Sequence, residues 1–268
     1  LVPVGVMGVL NCTPDSFFDG GRYERTASAI AHGRQLVAEG ALVVDVGGES
    51  SRPGAEPVPL AEELDRVIGV VEALSGETRI SVDTVKPEVA QAAVAAGASM
   101  INDVSGTLAE VAANAKVAWV AMHRQGDAKT MQEDPSYEDV VAEVHGAVLA
   151  MAQRAKQAGV EEVYVDPGIG FGKTAAHNLS LLAHLPELVE AAHAAGFGVV
   201  VGTSRKRFLG ALSPSGATVP PEGRLPGSLA TASWLALCGV DLIRVHDVEH
   251  TVRAIRLARQ APEAMASW

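Results

Sequence analysis

A chain of 268 residues is too long for one small α+β unit and suits one large barrel domain, which commonly takes about 250 residues. Its formal charge of −11 argues against nucleic acid as a partner, because duplex binding needs clustered cations to displace counterions. Cys12 and Cys238 form no ligand or redox spacing, so no disulfide framework or zinc ribbon is expected and a reducing cytoplasm fits.

Short Val/Ile/Leu-rich runs alternate with longer Ala-rich amphipathic stretches, the pattern of repeated βα units feeding a parallel sheet. In chain order the predicted elements are strand Val4–Leu10, helix Thr26–Glu39, strand Leu42–Val46, helix Leu60–Leu74, strand Arg79–Val82, helix Pro87–Ala96 and strand Ser99–Ile101. A short helix near Leu108–Ala113 follows, then strand Ala118–Met122, helix Tyr137–Ala158, strand Glu162–Val165, helix Leu179–Ala195, strand Gly198–Val201, helix Ser228–Cys238, strand Asp241–Val245 and helix Val248–Ala261. Eight units predict a (β/α)8 TIM barrel filling residues 1–268 as a single domain. Gly40, Gly97, Gly159, Gly196 and Gly239 stand where left-handed caps would end helices. The long connections Asn11–Arg25, Gly47–Pro59, His123–Ser136 and Ser213–Gly227 are expected to be functional. No basic segment precedes an apolar stretch, and no apolar run reaches the ~18 residues of a membrane span. The first residue is Leu1, so the sequence reads as trimmed at its start.

The strand runs end in residues that a buried strand would not otherwise choose: Asn11, Asp45–Gly48, Asp83, Asn102–Asp103, Met122–His123, Asp166, Gly202–Lys206 and Arg244–His246. In a closed parallel barrel these converge on the carboxyl face, where such barrels place their chemistry. Taken singly, Asp83 or Asp103 reads as the cap of the following helix; the set points to a site, with carboxylates and amide on one wall and cations on the other. Gly168–Thr174 is like a phosphate-binding loop, but Pro167 stands where its first glycine must be. His246-Asp247-Val248-Glu249-His250 matches an inverted zinc-peptidase pattern only if one helical turn carries both histidines, whereas His246 ends a strand. Asn11-Cys12-Thr13 is a glycosylation sequon that carries no weight without a secretory signal.

The segments Met7–Phe17, Asp45–Gly54, Ser81–Thr84, Ile101–Gly106, Asp166–Phe171, Ser204–Phe208 and Arg244–Asp247 resemble, in order, the motifs of the dihydropteroate synthase family. The resemblance covers essentially the whole chain. It departs at Cys12, where an aliphatic residue is usual, at Ser51, where Thr is usual, and at Arg124 and Ala128 in the loop after the fifth strand.

The resemblance implies a transferase of folate biosynthesis. It would join 6-hydroxymethyl-7,8-dihydropterin pyrophosphate to p-aminobenzoate in an SN1-like step, releasing pyrophosphate, with Mg²⁺ as cofactor and a homodimer built through late helices. Asp166 would take the pterin 2-amino and ring N–H, with Asn102 and Asp83 on neighbouring nitrogens and Lys206 on the ring oxygen and N5. Met122, Phe171 and Gly202 would complete the pterin pocket. Asn11, Ser51, Arg52, Arg244 and His246 would hold the diphosphate, Asn11 also touching the metal. Asp19 would stabilise the cation, Phe17 and Pro53 would pack on the benzoate ring, and Lys206 and Arg207 would complete the benzoate site. Three alternatives stand against this. They are a Schiff-base aldolase using Lys206, a pterin-binding protein without activity, and a methyltetrahydrofolate-binding methyltransferase domain.

Overall fold

Val-rich runs buried on both faces form parallel strands. In the computed structural model, which describes residues 4–13, 22–50, 55–126, 129–211 and 219–265, eight of them close into a barrel. They are β1 (Gly5–Asn11), β2 (Val43–Gly47), β3 (Arg79–Asp83), β4 (Met100–Asp103), β5 (Ala118–Met122), β6 (Val163–Asp166), β7 (Gly198–Val201) and β8 (Leu242–Val245). Each pairs in parallel with its sequence neighbour, and β8 returns to β1 with Met7 opposite Arg244. This is the predicted (β/α)8 barrel. Several strands run one residue further than the apolar run, so Asn11, Asp83 and Asp166 belong to the sheet.

The covering helices are α1 (Arg22–Ala38), α2 (Leu60–Leu74), α3 (Pro87–Ala95), α4 (Ala109–Ala115), α5 (Val140–Gln157), α6 (Ala175–Ala183), α7 (Leu185–Ala194), α8 (Arg207–Ala211), α9 (Leu225–Cys238) and α10 (Val248–Met265). The five cap glycines all have positive φ, as predicted. Among the described residues, no helix is long and apolar enough to cross a membrane.

Three expectations are corrected. The single helix expected over 179–195 is two, breaking at His184 because Pro186 in the first turn of α7 has no N–H to continue the ladder. α6 also starts earlier, where Thr174 and His177 form a reciprocal capping box. The connection expected over 213–227 contains a 3-10 turn, Pro221–Arg224, and the start of α9, while α8 lies in a stretch where no helix was expected; residues 212–218 lie outside the described residues.

Inside the barrel, Met7, Val43, Met100, Ala118, Val120, Val200 and Leu242 fill the axis, and the opposite faces of the strands pack on the helices. The amino-terminal mouth is crossed by Arg79, which donates two hydrogen bonds to Glu162 at 2.9 and 2.7 Å, with Tyr164 Oη on the same carboxylate at 2.7 Å. Side chains repeat inward every second residue. Asp45, two residues beyond Val43, is therefore where the barrel interior turns polar.

Candidate active site

The polar layer is organised around Arg244 from the last strand. Its Nε donates to Asp45 Oδ2 at 2.6 Å and its Nη2 to Asp83 Oδ2 at 2.6 Å, partners 199 and 161 residues away in sequence. Asn102 Nδ2 donates to the same Asp45 oxygen at 2.9 Å. Burial works against the Arg244 charge, but Asp45 and Asp83 outweigh it and hold its pKa above the ordinary value. Asp83 is pushed up by burial and by the nearby Asp45, an effect that Arg244 only partly opposes. The neighbouring Asp103 has the opposite parity and points outward. Its oxygens accept from the backbone N–H groups of Ser105 and Leu108 at 2.8 and 2.7 Å, so it organises the start of α4 and takes no part in the site. Neither aspartate is a helix cap: Leu108 and Lys86 hold those positions without a side-chain cap bond, Asp103 bonds the loop before α4, and Asp83 joins the Arg244 network.

A second group forms between β6 and β7. Asp166 Oδ1 accepts from Gly168 N at 2.7 Å, and burial raises its pKa against the pull of Lys206 and that N–H. The Lys206 ammonium lies 4.5 Å from the centre of the Phe171 ring and donates to the Ile169 carbonyl. Burial lowers its pKa to about 8, although Asp166 favours the charge. The turn between them needs its glycines. A Cβ at Gly168, where φ is +63°, would lie 1.8 Å from the His123 carbonyl oxygen, and one at Gly172 would lie 2.3 Å from the Gln125 oxygen.

A cavity of about 560 Å³ opens above these groups, lined by Asn11, Gly202, Arg207, Arg244 and His246 together with Phe171 and Lys206. Asp83, Asn102, Met122 and Asp166 are buried at the carboxyl ends of their strands and are not among its lining residues, so of the predicted pterin set Phe171, Gly202 and Lys206 reach it. His246 ends the sequence of strand-terminal groups, its Nδ1 3.1 Å from Ser204 Oγ. Arg207 is exposed at the first position of α8. The separation of charges into two walls is not found, because Arg244 sits directly on two carboxylates and Lys206 beside a third. Phe17, Asp19, Ser51, Arg52 and Pro53 lie outside the described residues. At the foot of the second long connection, Glu49 accepts from Val58 N and Lys86 Nζ, both at 2.7 Å, and Lys86 also bonds Glu63.

A sequence model of the family described as pterin binding enzyme matches residues 7–246. The dihydropteroate synthase of Mycobacterium leprae is 46% identical over 96% of this chain and 93% of its own. That of Xanthomonas albilineans, solved with 4-aminobenzoic acid, superposes with a TM-score of 0.87 at 46% identity over 97% of this chain and 93% of that one. This chain belongs to the dihydropteroate synthase family. A further structure of the Xanthomonas enzyme, in complex with 7,8-dihydropteroate, gives 0.83 at 44% identity over 97% and 94%. Within the family the activity is that of a transferase.

The departure from the family pattern at Cys12 is a packing change. Its side chain is buried in the layer between sheet and helices, and burial pushes its thiol up to about 12, so it behaves as a small apolar residue. Two residues of this polar layer and the turn above it had no role among the sequence expectations. Asp45 appeared only as the start of a turn, yet it joins Arg244 to Asn102; its inward parity with Val43 was the available signal. Lys173 appeared only in the phosphate-loop likeness, and the structure buries its ammonium behind the glycine turn.

Proposed function

We propose that this barrel condenses 6-hydroxymethyl-7,8-dihydropterin pyrophosphate with p-aminobenzoate to give 7,8-dihydropteroate and pyrophosphate. The carbon–oxygen bond to the diphosphate breaks with its electron pair leaving on oxygen. The aryl amine then attacks the resulting methylene cation and loses a proton. The observation that carries this reading is the bridge from Arg244 to Asp83 and, through Asp45, to Asn102, with Asp166 and Lys206 beside it at the carboxyl face of the barrel, where Arg244 and Lys206 line the cavity.

A pterin edge presents adjacent N–H donors beside a carbonyl. Asp166 accepts the 2-amino and ring N–H, Asn102 and Asp83 serve the neighbouring nitrogens, and Lys206 donates to the ring oxygen and N5. Phe171 and Met122 wall the ring, and Gly202 leaves it room. Asn11, Arg244 and His246 face the diphosphate, where cations ease departure of an anionic group. Arg207, exposed at the first position of α8 on the cavity lining, receives the benzoate carboxylate; the likeness to a Xanthomonas enzyme solved with 4-aminobenzoic acid supports p-aminobenzoate as the second substrate. Phe17, Asp19, Ser51, Arg52 and Pro53 would complete the site by family correspondence, closing over the cation to exclude water.

Mg²⁺ belongs to this proposal with Asn11 as the residue that would hold it. Among the described residues no group of three or more His, Cys, Asp or Glu could hold a metal, so the donor set fits an ion carried largely by diphosphate oxygens and water. The ion would supply neutralisation of the leaving group. Trp234 and Leu237 on α9 and Leu257 on α10 are exposed apolar side chains that support a homodimer through the late helices. The free thiols Cys12 and Cys238 support a cytoplasmic setting.

Asp166→Asn tests the edge recognition. It turns an accepting oxygen into a donor facing N–H groups, and a lost charge-assisted hydrogen bond of about 1.5–3 kcal/mol predicts a 10- to 100-fold weaker pterin affinity by titration calorimetry. Affinity equal to wild type would remove Asp166 from the pterin edge.

A further inference from the structure

The turn after β6 is held at every carbonyl. Gly168 O and Phe171 O accept from the Lys173 ammonium at 3.0 and 3.1 Å, Ile169 O from Lys206, Gly170 O from Gln132 Nε2 at 2.6 Å and Gly172 O from Tyr137 Oη at 2.8 Å. Lys173 is the member that reaches beyond the turn from within it. It is 3% exposed, and its third partner, at 2.9 Å, is Nδ1 of His123, the residue after Met122 at the end of β5.

Three acceptors match the three N–H groups of an ammonium. Among the described residues no carboxylate forms a salt bridge with Lys173, so two carbonyls and an imidazole hold the charge. Burial lowers the Lys173 pKa to about 7, helped by Lys206 and opposed by Asp166. Burial and Lys173 together lower His123 to about 4, which leaves its ring neutral and Nδ1 free to accept. An apolar side chain would fill this space without the cost of burying a charge. What the ammonium adds is a fixed distance between the turn and the strand end beside it.

We propose that Lys173 is a positioning residue of the pterin wall: its ammonium pins the glycine turn to the end of β5 and so sets where Phe171, the Ile169 carbonyl and the Lys206 docked on that carbonyl meet the ring. The proposal rests on the reading of the cavity as a pterin site. Lys173→Met keeps the length of the side chain and removes the donors.

The test is titration of wild type, Lys173→Met and Lys173→Arg with 6-hydroxymethyl-7,8-dihydropterin pyrophosphate, alongside KM for both substrates. The expected result is at least a tenfold rise in Kd and KM for the pterin substrate in Lys173→Met, with KM for p-aminobenzoate within twofold and partial recovery in Lys173→Arg. A lysine that only stabilised the fold would lower the melting temperature and leave the Kd of the folded protein unmoved, and that outcome overturns the proposal. If Lys173→Met does not fold, His123→Ala, which leaves both carbonyl bonds in place, decides. At least threefold weaker pterin binding supports the role, and wild-type affinity overturns it. Failure of the wild type to bind the pterin substrate would overturn the pocket reading and this proposal together, whereas an unaffected variant overturns this proposal alone.

Discussion

Lys206 donates most strongly to a ring oxygen as an ammonium, yet its surroundings lower its pKa to about 8. A lysine with a depressed pKa keeps its ammonium below that value and loses it as pH rises through it. kcat/KM for the pterin substrate should therefore fall on the alkaline side with a midpoint near pH 8. Lys206→Arg should remove the part of that limb near pH 8 and leave the part set by Lys173, whose pKa lies near 7. A wild-type profile flat from pH 7 to 9.5 would mean that the Lys206 charge does not govern binding. The chemical type of these residues was readable in the sequence because polar groups at the ends of apolar runs are conspicuous. Their pairing was not. Asn102 and Asp103 are adjacent, and only the one-residue parity of β4 sends the first into the barrel and the second to the start of α4.

At the scale of elements, the glycine turn shows what the backbone contributes. Gly168→Ala would bring a Cβ to 1.8 Å from the backbone oxygen of His123, just beyond β5, a contact that only movement of the turn or of that backbone can relieve. Pterin affinity should drop at least tenfold, with a loss of stability. Gly196→Ala is the control: its φ is +79° but nothing lies within 4 Å of the added carbon. That change should destabilise by only about 1–2 kcal/mol, the left-handed backbone penalty, with unchanged affinity. Equal affinity losses in the two variants, measured by calorimetry beside thermal melts, would rule out the steric account. The eight strands were legible almost to the residue, since continuous apolar runs between glycine caps have few other uses. The break at His184 was not, because the apolar spacing of Leu181, Leu185 and Leu188 runs through it. α8, at five residues, is too short to show a period.

For the whole molecule, the barrel separates stability from chemistry by its two mouths. Arg79 and Glu162 meet at the amino end, both partly exposed. Removing the pair with Arg79→Ala should cost no more than about 1 kcal/mol in urea denaturation, as for other solvated ion pairs, and leave both KM values unchanged. A changed KM would contradict the division. The apolar patch on α9 and α10 makes a second prediction at this scale. Trp234→Glu combined with Leu257→Glu should convert a dimer to a monomer in light scattering, and a wild type already monomeric would remove the dimer.

The bridge from Arg244 to Asp45 and Asp83 also bears on how the chain comes off the ribosome. Were the first seven strands to collapse before the eighth is made, two inward carboxylates on adjacent strands would be buried without the guanidinium that neutralises them, a situation that costs several kcal/mol per ion. A chain halted before residue 244 thus lacks both the last wall of the barrel and its counter-charge, so closure of the cylinder and assembly of its chemistry arrive in a single act of folding.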